Sequence, residues 1–219
     1  MAYLSKRLQV IHDMLPKGVI ADIGSDHGKL MIALFKSGKL LKGYAIENKK
    51  GPYQRLVKAL EKEDLIDKII PLFSDGISDL PIDVRHIVLA GMGGDLIIDI
   101  LKAHSDKLKL VNTIVVDAHG AIGKVREEIS NMGYAIAEEQ IVKEDDKYYE
   151  IIKFIRADKA IYTEDDLEFG PILRVEKSAT FKEKYQERID EINHLLNLDL
   201  PSSRIEELIK ERNRIESIL

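Results

Sequence analysis

The chain reads as an α/β protein with a Rossmann-like, seven-stranded sheet and a C-terminal α-helical coiled-coil hairpin. Three observations carry this expectation. Apolar strand-like runs alternate with amphipathic helical segments from about residue 19 to residue 133, the pattern of a parallel sheet with crossover helices. The alternation then gives way to two long strand-like segments, Tyr134–Val142 and Lys147–Arg156, separated by only four polar residues, which must form an antiparallel hairpin. Past Phe169-Gly170-Pro171 the texture becomes charged, with narrow apolar stripes at helical spacing.

The elements follow in order. Val19–Ile23 is a strand that runs into the loop Gly24-Ser25-Asp26-His27-Gly28, and the apolar Leu30–Phe35 is a buried helix. Gly24 lets the chain turn off the strand, and Gly28 lets the helix start lie close to a ligand or the sheet. Lys42–Glu47 is a second strand, Gly51–Glu63 a helix, and Ile69–Phe73 a third strand ending in Ser74-Asp75-Gly76. His86–Ala90 is the fourth, running into Gly91-Met92-Gly93-Gly94 and a helix through Leu101. Thr113–Val116 is the fifth, ending at Asp117-Ala118-His119-Gly120 before a helix over Lys124–Met132. Five such units closed by a hairpin are the chain order of the seven-stranded methyltransferase sheet. This places one domain over residues 1–160 and a helical coiled-coil domain over 161–219. In the latter, Phe181, Tyr185, Ile189, Ile192 and Leu196 form one stripe. Ser203 and Glu206, spaced as a capping box, open a second helix carrying Ile205, Leu208, Ile215 and Leu219. Both a packing or dimerisation appendage and an arm gripping an extended substrate fit this pattern.

Composition narrows the chemistry. The 219 residues contain no cysteine, which excludes a disulfide framework, a thiolate nucleophile and a Cys-ligated metal, and points to the cytoplasm. The six histidines lack the H-x-x-x-H spacing of zinc sites, so no metal is expected. No stretch approaches the length of a membrane span, and the N-terminus lacks the apolar core of a signal peptide. The net charge of −5 argues against broad nonspecific nucleic-acid binding, yet a local basic patch suffices to hold a structured RNA.

The first loop sits where nucleotide-type cofactors bind in open α/β sheets. Asp22 and Asp26 there have the wrong charge for a phosphate, and the position two after Gly24 is Asp26, so the dinucleotide fingerprint G-x-G-x-x-G is absent. Acids suit a cationic, hydroxyl-rich ligand, and S-adenosyl-L-methionine carries both a sulfonium and an α-ammonium. Glu47, about 25 positions on at the next strand end, is placed to accept hydrogen bonds from ribose hydroxyls. Asp75, at the third strand end, suits the adenine amino group of that cofactor. Ser25, His27, Gly76, Gly91 and Met92 complete the expected cofactor set.

Leu4-Ser5-Lys6-Arg7-Leu8, Ala21-Asp22-Ile23-Gly24-Ser25-Asp26-His27, Gly51-Pro52, Asp75-Gly76, Ala90-Gly91-Met92-Gly93-Gly94, Tyr149-Glu150 and Gly170-Pro171, in this order, resemble the bacterial TrmK family of tRNA (adenine(22)-N1)-methyltransferases. The resemblance spans nearly the whole chain. It implies a class I methyltransferase domain, S-adenosyl-L-methionine as donor, and an adenine ring nitrogen in tRNA as acceptor. One departure stands out: Asp117-Ala118-His119 replaces the Gln-Pro-Asn usual after the fifth strand, at the acceptor side of the pocket.

Within that implied reaction Asp26 is the candidate catalytic residue, stabilising positive charge as it develops on the base; its other reading is an N-cap for the following helix. Arg7, Gly93, Asp117 and His119 are the expected substrate contacts. Gly91-Met92-Gly93-Gly94 stands where amino-directed methyltransferases carry Asn/Asp-Pro-Pro-aromatic, which speaks against the exocyclic N6 as the methylated atom. Cations for the RNA are sought in Lys6 and Arg7, in Lys36, Lys39 and Lys42, and in Lys49, Lys50 and Arg55. A monomer is expected. The alternatives are a catalytically inactive RNA-binding protein of the same fold, a small-molecule methyltransferase and, behind these, a nicotinamide oxidoreductase.

Overall fold

The apolar runs of the first half pair as parallel strands. β1 (Gly18–Ile23) lies between β2 (Leu40–Glu47) and β4 (His86–Gly93), β3 (Ile69–Phe73) flanks β2, and β5 (Thr113–His119) flanks β4. β6 (Tyr134–Glu144) and β7 (Lys147–Arg156) form the expected hairpin, with β7 antiparallel between β5 and β6, so the order is β3-β2-β1-β4-β5-β7-β6. The hairpin turns through Asp145 and Asp146, both at positive φ (49° and 55°), the backbone that suits a two-residue turn between twisted strands. This computed structural model describes residues 4–158 and 160–219.

Helices cover both faces. α1 (Lys6–Met14), α2 (Lys29–Lys36) and α3 (Lys50–Lys62) bury Ile11, Met14, Leu30, Met31, Leu34, Leu56 and Leu60 on one side. On the other side α4 (Gly94–Ala103) and α5 (Ile122–Asn131) bury Ile97, Ile98, Leu101, Val125 and Ile129. The periodicity reading did not assign α1. Its signal is Ser5, whose hydroxyl accepts the Leu8 N–H, followed by Leu8, Ile11 and Leu15 at helical spacing before Pro16.

Beyond the sheet come the short helices α6 (Glu164–Phe169) and α7 (Leu173–Glu176), then α8 (Ala179–Leu195) and α9 (Ser202–Ile218). Phe181, Tyr185, Ile189 and Ile192 of α8 share a core with Leu208, Ile215 and Ile218 of α9, and Ile141 of β6 packs against it. Contacts from Lys177 to Leu219 and from Arg188 to Glu211 run in opposite senses along the two segments, so the helices are antiparallel. The capping box expected at Ser203 and Glu206 does not form. α9 starts at Ser202 with Pro201 as N-cap, which puts Ser203 inside the first turn. The capping box lies instead at Thr163 and Asp166, opening α6.

A buried ion cluster joins these helices to the sheet. Arg126 of α5, 0% exposed, donates to Glu139 of β6 (2.8 Å) and to Glu150 of β7, and Glu150 also accepts from Lys184 of α8. Arg126 reaches the Leu167 carbonyl at 2.9 Å, and Glu139 accepts the Ile172 N–H at 2.9 Å. Gly170 is required here: a Cβ would stand 2.8 Å from both Arg126 Nη2 and Glu139 Oε2. Both Gly170-Pro171 and Glu150, read above as family markers, therefore sit at a structural joint.

Candidate active site

The switch point of the sheet lies between β1 and β4, since the chain runs from β1 through β2 and β3 to one side and from β4 to β5 on the other, and a cleft opens at the carboxyl end of β1. The cleft has a volume of about 220 Å³, and Leu8, Asp22, Gly24, Asp26, Lys29 and Ala90 are among its lining residues. Asp22 is buried and its Oδ2 accepts the Ser25 hydroxyl at 2.6 Å. Burial, with the charge of nearby Glu47, pushes the Asp22 carboxyl up to about 6, against the Ser25 hydrogen bond. Gly24 (φ 80°) turns off the strand, and a Cβ there would meet Met92 Cε at 3.1 Å, so the first loop and the end of β4 face one another.

Asp26 is not the helix cap. It adopts a left-handed backbone (φ 38°), and with Gly28 also left-handed (φ 64°) the loop tightens so that α2 begins only at Lys29 behind Gly28. The Asp26 carboxylate points elsewhere: Oδ1 accepts Arg55 Nη2 at 2.8 Å and Nε at 3.2 Å, and Oδ2 lies 3.4 Å from His27 Nε2. Arg55 of α3 thus holds the exposed half of the loop.

At the end of β2, Glu47 is buried and its Oε1 accepts the backbone N–H groups of Asn48 (3.1 Å) and Lys49 (3.0 Å). Asn48, which the sequence reading did not select, donates from its amide to Asp75 Oδ1 at 2.8 Å and so ties the ends of β2 and β3. Gly76 (φ 55°) lies against Ile100, where a Cβ would come within 2.9 Å. At the end of β4 the pairing skips Gly91: Ala90 faces Asp117, Met92 faces Ala118 and Gly93 faces His119. Gly91 (φ 75°) is the extra residue of a bulge, which turns Met92 towards Gly24. A Cβ at Gly91 or Gly93 would meet nothing within 4 Å, so the backbone there faces open space.

A second cluster, at the expected acceptor residues, is built on β5. Asp117 is 1% exposed; its Oδ2 accepts Arg7 Nη1 at 2.8 Å, while its Oδ1 is buried without a partner. Burial raises the Asp117 carboxyl above the usual carboxylate range, opposed by Arg7 and His119. Arg7 Nη1 also lies 3.2 Å from His119 Nε2, which must act as acceptor because a guanidinium has none. Arg7 Nε donates to Glu144 Oε2 at 3.1 Å, and the guanidinium carbon stands 4.2 Å from the centre of the Tyr149 ring. Neither Glu144 nor Tyr149 was among the expected site residues, although Tyr149-Glu150 is one of the segments that carry the family resemblance. Nothing local ties them to Arg7, because the hairpin brings them there from more than 130 positions away.

The structure brings Asp22, Gly24, Ser25, Asp26, His27 and Met92 together at one rim, with Glu47, Asp75 and Gly76 on one side and Gly93, Asp117, His119 and Arg7 on the other. Lys36, Lys39 and Lys42 are not part of it. They lie at the opposite edge of the sheet: Lys42 pairs with Val19 at the start of β1, about 17 Å along the strand from Glu47. They are also engaged there. Lys36 and Lys42 pair with Glu63 and Asp83, and Lys39 donates to the carbonyls of His12, Asp13 and Leu15 at the end of α1. Lys29, Lys49, Lys50 and Arg55 stand on the carboxyl edge instead. Among the described residues no group of three or more His, Asp or Glu side chains is arranged to hold a metal ion, and no helix is long and apolar enough to cross a membrane.

Acids at three successive strand ends and open glycine backbone above them fit a cationic nucleoside with free hydroxyls, as S-adenosyl-L-methionine is. The comparisons with known proteins agree. A Bacillus subtilis tRNA (adenine(22)-N(1))-methyltransferase is 30% identical, over 99% of this chain and 97% of its own length. The crystal structure of the B. subtilis m1A22 tRNA methyltransferase TrmK superposes with a TM-score of 0.88 at 28% identity, covering 100% of this chain and 99% of that one. A Streptococcus pneumoniae protein solved in complex with S-adenosyl-L-methionine superposes with a TM-score of 0.91 at 29% identity, covering 99% and 100%. The model of the tRNA (adenine(22)-N(1))-methyltransferase family matches residues 20–218. With the whole sheet and almost all of the C-terminal helices inside that match, the chain belongs to the tRNA (adenine(22)-N(1))-methyltransferase family, whose enzymes use S-adenosyl-L-methionine.

Proposed function

We propose that this chain performs the family's reaction at the cleft described, with Asp22, Glu47 and Asp75 holding the donor and the rim of β4 and β5 receiving the base. The donor supplies a methyl group on a sulfonium. The N1 lone pair forms the new N–C bond as the C–S electrons return to sulfur, so no base catalyst is needed. The protein's work is positioning and charge. Asp26, on the cleft wall, offsets the positive charge that develops on the adenine, and Arg55 holds its carboxylate in place. Gly91 and Gly93 leave room for a ring to approach the backbone. Residues 1–160 carry the chemistry, and residues 161–219 support tRNA engagement through their exposed charged faces. The enzyme acts as a monomer in the cytoplasm, where its substrate resides.

The observation that carries this reading is the placement of the acid-lined donor cleft one strand away from the Arg7–Asp117–His119 cluster, with Ala90 lining the first and pairing with Asp117 of the second. The test uses labelled donor and an unmodified tRNA transcript with adenine at position 22. Methyl incorporation should map to N1 of that base and vanish when guanine replaces it. Incorporation elsewhere, or none, rejects the reading.

A further inference from the structure

We propose that Tyr149, Asp117 and His119 form the seat of the target adenine, and that the Arg7 side chain occupies that seat in the RNA-free enzyme. The proposal deepens the methyl-transfer reading above and rests on it. The guanidinium of Arg7 is a planar cation lying over the Tyr149 ring at 4.2 Å, with one edge nitrogen shared between Asp117 Oδ2 (2.8 Å) and His119 Nε2 (3.2 Å). An adenine methylated on N1 has the same description: a flat cation with an amino donor on its edge. A site that stacks the first and accepts its N–H groups has the chemistry to hold the second.

Asp117 gives the second observation. It is 1% exposed, and its Oδ1 is buried with no hydrogen-bond partner, an arrangement that is unfavourable unless a donor arrives. When the guanidinium leaves, that oxygen becomes an acceptor for the exocyclic amino group. Position agrees. Asp117 pairs with Ala90, a wall of the donor cleft, about one strand spacing of 4.8 Å away. Arg7 precedes Leu8, another wall, and the backbone of Gly93 opposite His119 faces open space. Glu144 fixes the first turn of α1 by accepting the Lys6 N–H (2.7 Å), so the helix start stays in place while the guanidinium swings out and gives up its Nε contact to the same carboxylate (3.1 Å).

The charge change on the base then favours the reaction. Neutral adenine must displace a cation from Asp117 and from the Tyr149 face, and both interactions return only as methylation makes the ring cationic. The seat therefore interacts more strongly with the transition state than with the bound substrate.

Nucleoside binding tests this without turnover, using NMR titration of the full chain with 1-methyladenosine and with adenosine. The parent should bind 1-methyladenosine about tenfold more tightly than adenosine. D117N keeps the side-chain shape and an oxygen beside Arg7 but turns the unpartnered position into a donor, and should abolish the preference. Y149A should weaken both nucleosides about tenfold, with Y149F recovering most of that loss. R7A vacates the seat and should bind 1-methyladenosine more tightly than the parent. If R7A lacks a cooperative melt, R7M keeps the packing of the stem and carries the same expectation. Equal affinity of the parent for the two nucleosides, or no gain in the Arg7 variant, overturns the proposal. Methylation of tRNA by the parent is measured alongside, so a failure of the methyl-transfer reading appears separately as absence of product.

Discussion

Asp22→Asn separates two consequences of the proposal that a buried acid receives a cationic ligand. The carboxyl is raised from 3.8 to about 6, chiefly by burial and also by the charge of Glu47. At about 1.4 kcal/mol per pH unit, its ionised form costs the donor-free fold about 3 kcal/mol at neutral pH. The sign follows from proton binding. Between 3.8 and about 6 the folded state holds the proton more tightly than the unfolded one, so this residue's contribution to stability falls as pH rises through that window. Asn carries no charge, so D22N should raise the melting temperature of the donor-free protein at pH 7. Donor binding runs the other way, because a cation favours the carboxylate. The ionised fraction falls from about nine tenths at pH 7 to about one tenth at pH 5, so the parent's affinity should drop about tenfold over that range. The donor's own α-amino group, titrating near ~8, stays charged throughout. In D22N the slope should vanish and affinity at pH 7 should fall by about 1.5–3 kcal/mol, the value of a charge-assisted hydrogen bond. Calorimetric titration with S-adenosyl-L-methionine at pH 5, 6 and 7 measures both. A parent affinity that is flat across this range, or a D22N variant with the parental slope, refutes the assignment of Asp22 to the donor.

Asp26→Asn should lower the single-turnover methylation rate on tRNA by about 100-fold with donor affinity unchanged, since Asn tolerates the left-handed backbone at φ 38° and removes only the charge; a near-parental rate would limit Asp26 to its pairing with Arg55. Arg126→Met leaves Glu139 and Glu150 buried with only part of their partners and should destabilise the fold by about 3–5 kcal/mol in urea denaturation; an unchanged midpoint would show the cluster to be dispensable. A chain cut near Ala160 uncovers this same cluster, so charge reversal tests the role of the helices more cleanly than truncation does. K49E with K50E should weaken tRNA binding and flatten its salt dependence by about one unit per lost phosphate contact, whereas K36E with K42E, at the far edge of the sheet, should do neither. Filter binding of tRNA measures these variants, and the same assay on K182E with K210E reads the contribution of α8 and α9, where parental affinity would assign those helices to packing.

The sheet was legible because each strand is a short apolar run ended by glycine or an acid, and because crossover chirality leaves few ways to join five such units. That Asp22, Glu47 and Asp75 lie together was legible for the same reason: in a parallel sheet the carboxyl ends of successive strands share one edge, so strand order alone gathers them. What the sequence could not determine is what depends on contacts between distant segments. Asp26 and a helix cap look alike in one dimension; only the left-handed pair Asp26 and Gly28 moves the helix start to Lys29 and turns the carboxylate to Arg55. Lys36, Lys39 and Lys42 lie close in sequence to Glu47, yet a strand carries its two ends to opposite edges of the sheet, which removes them from the pocket. Glu150 and Gly170 were visible as motif residues, but their partner Arg126 on α5 lies outside every motif segment, and burial turns the three into a joint between sheet and helices. The cluster around Arg7 shows the limit most plainly. Arg7, Asp117, Glu144 and Tyr149 come from both ends of the domain, and only the antiparallel placement of β7 beside β5 brings the tyrosine under the arginine.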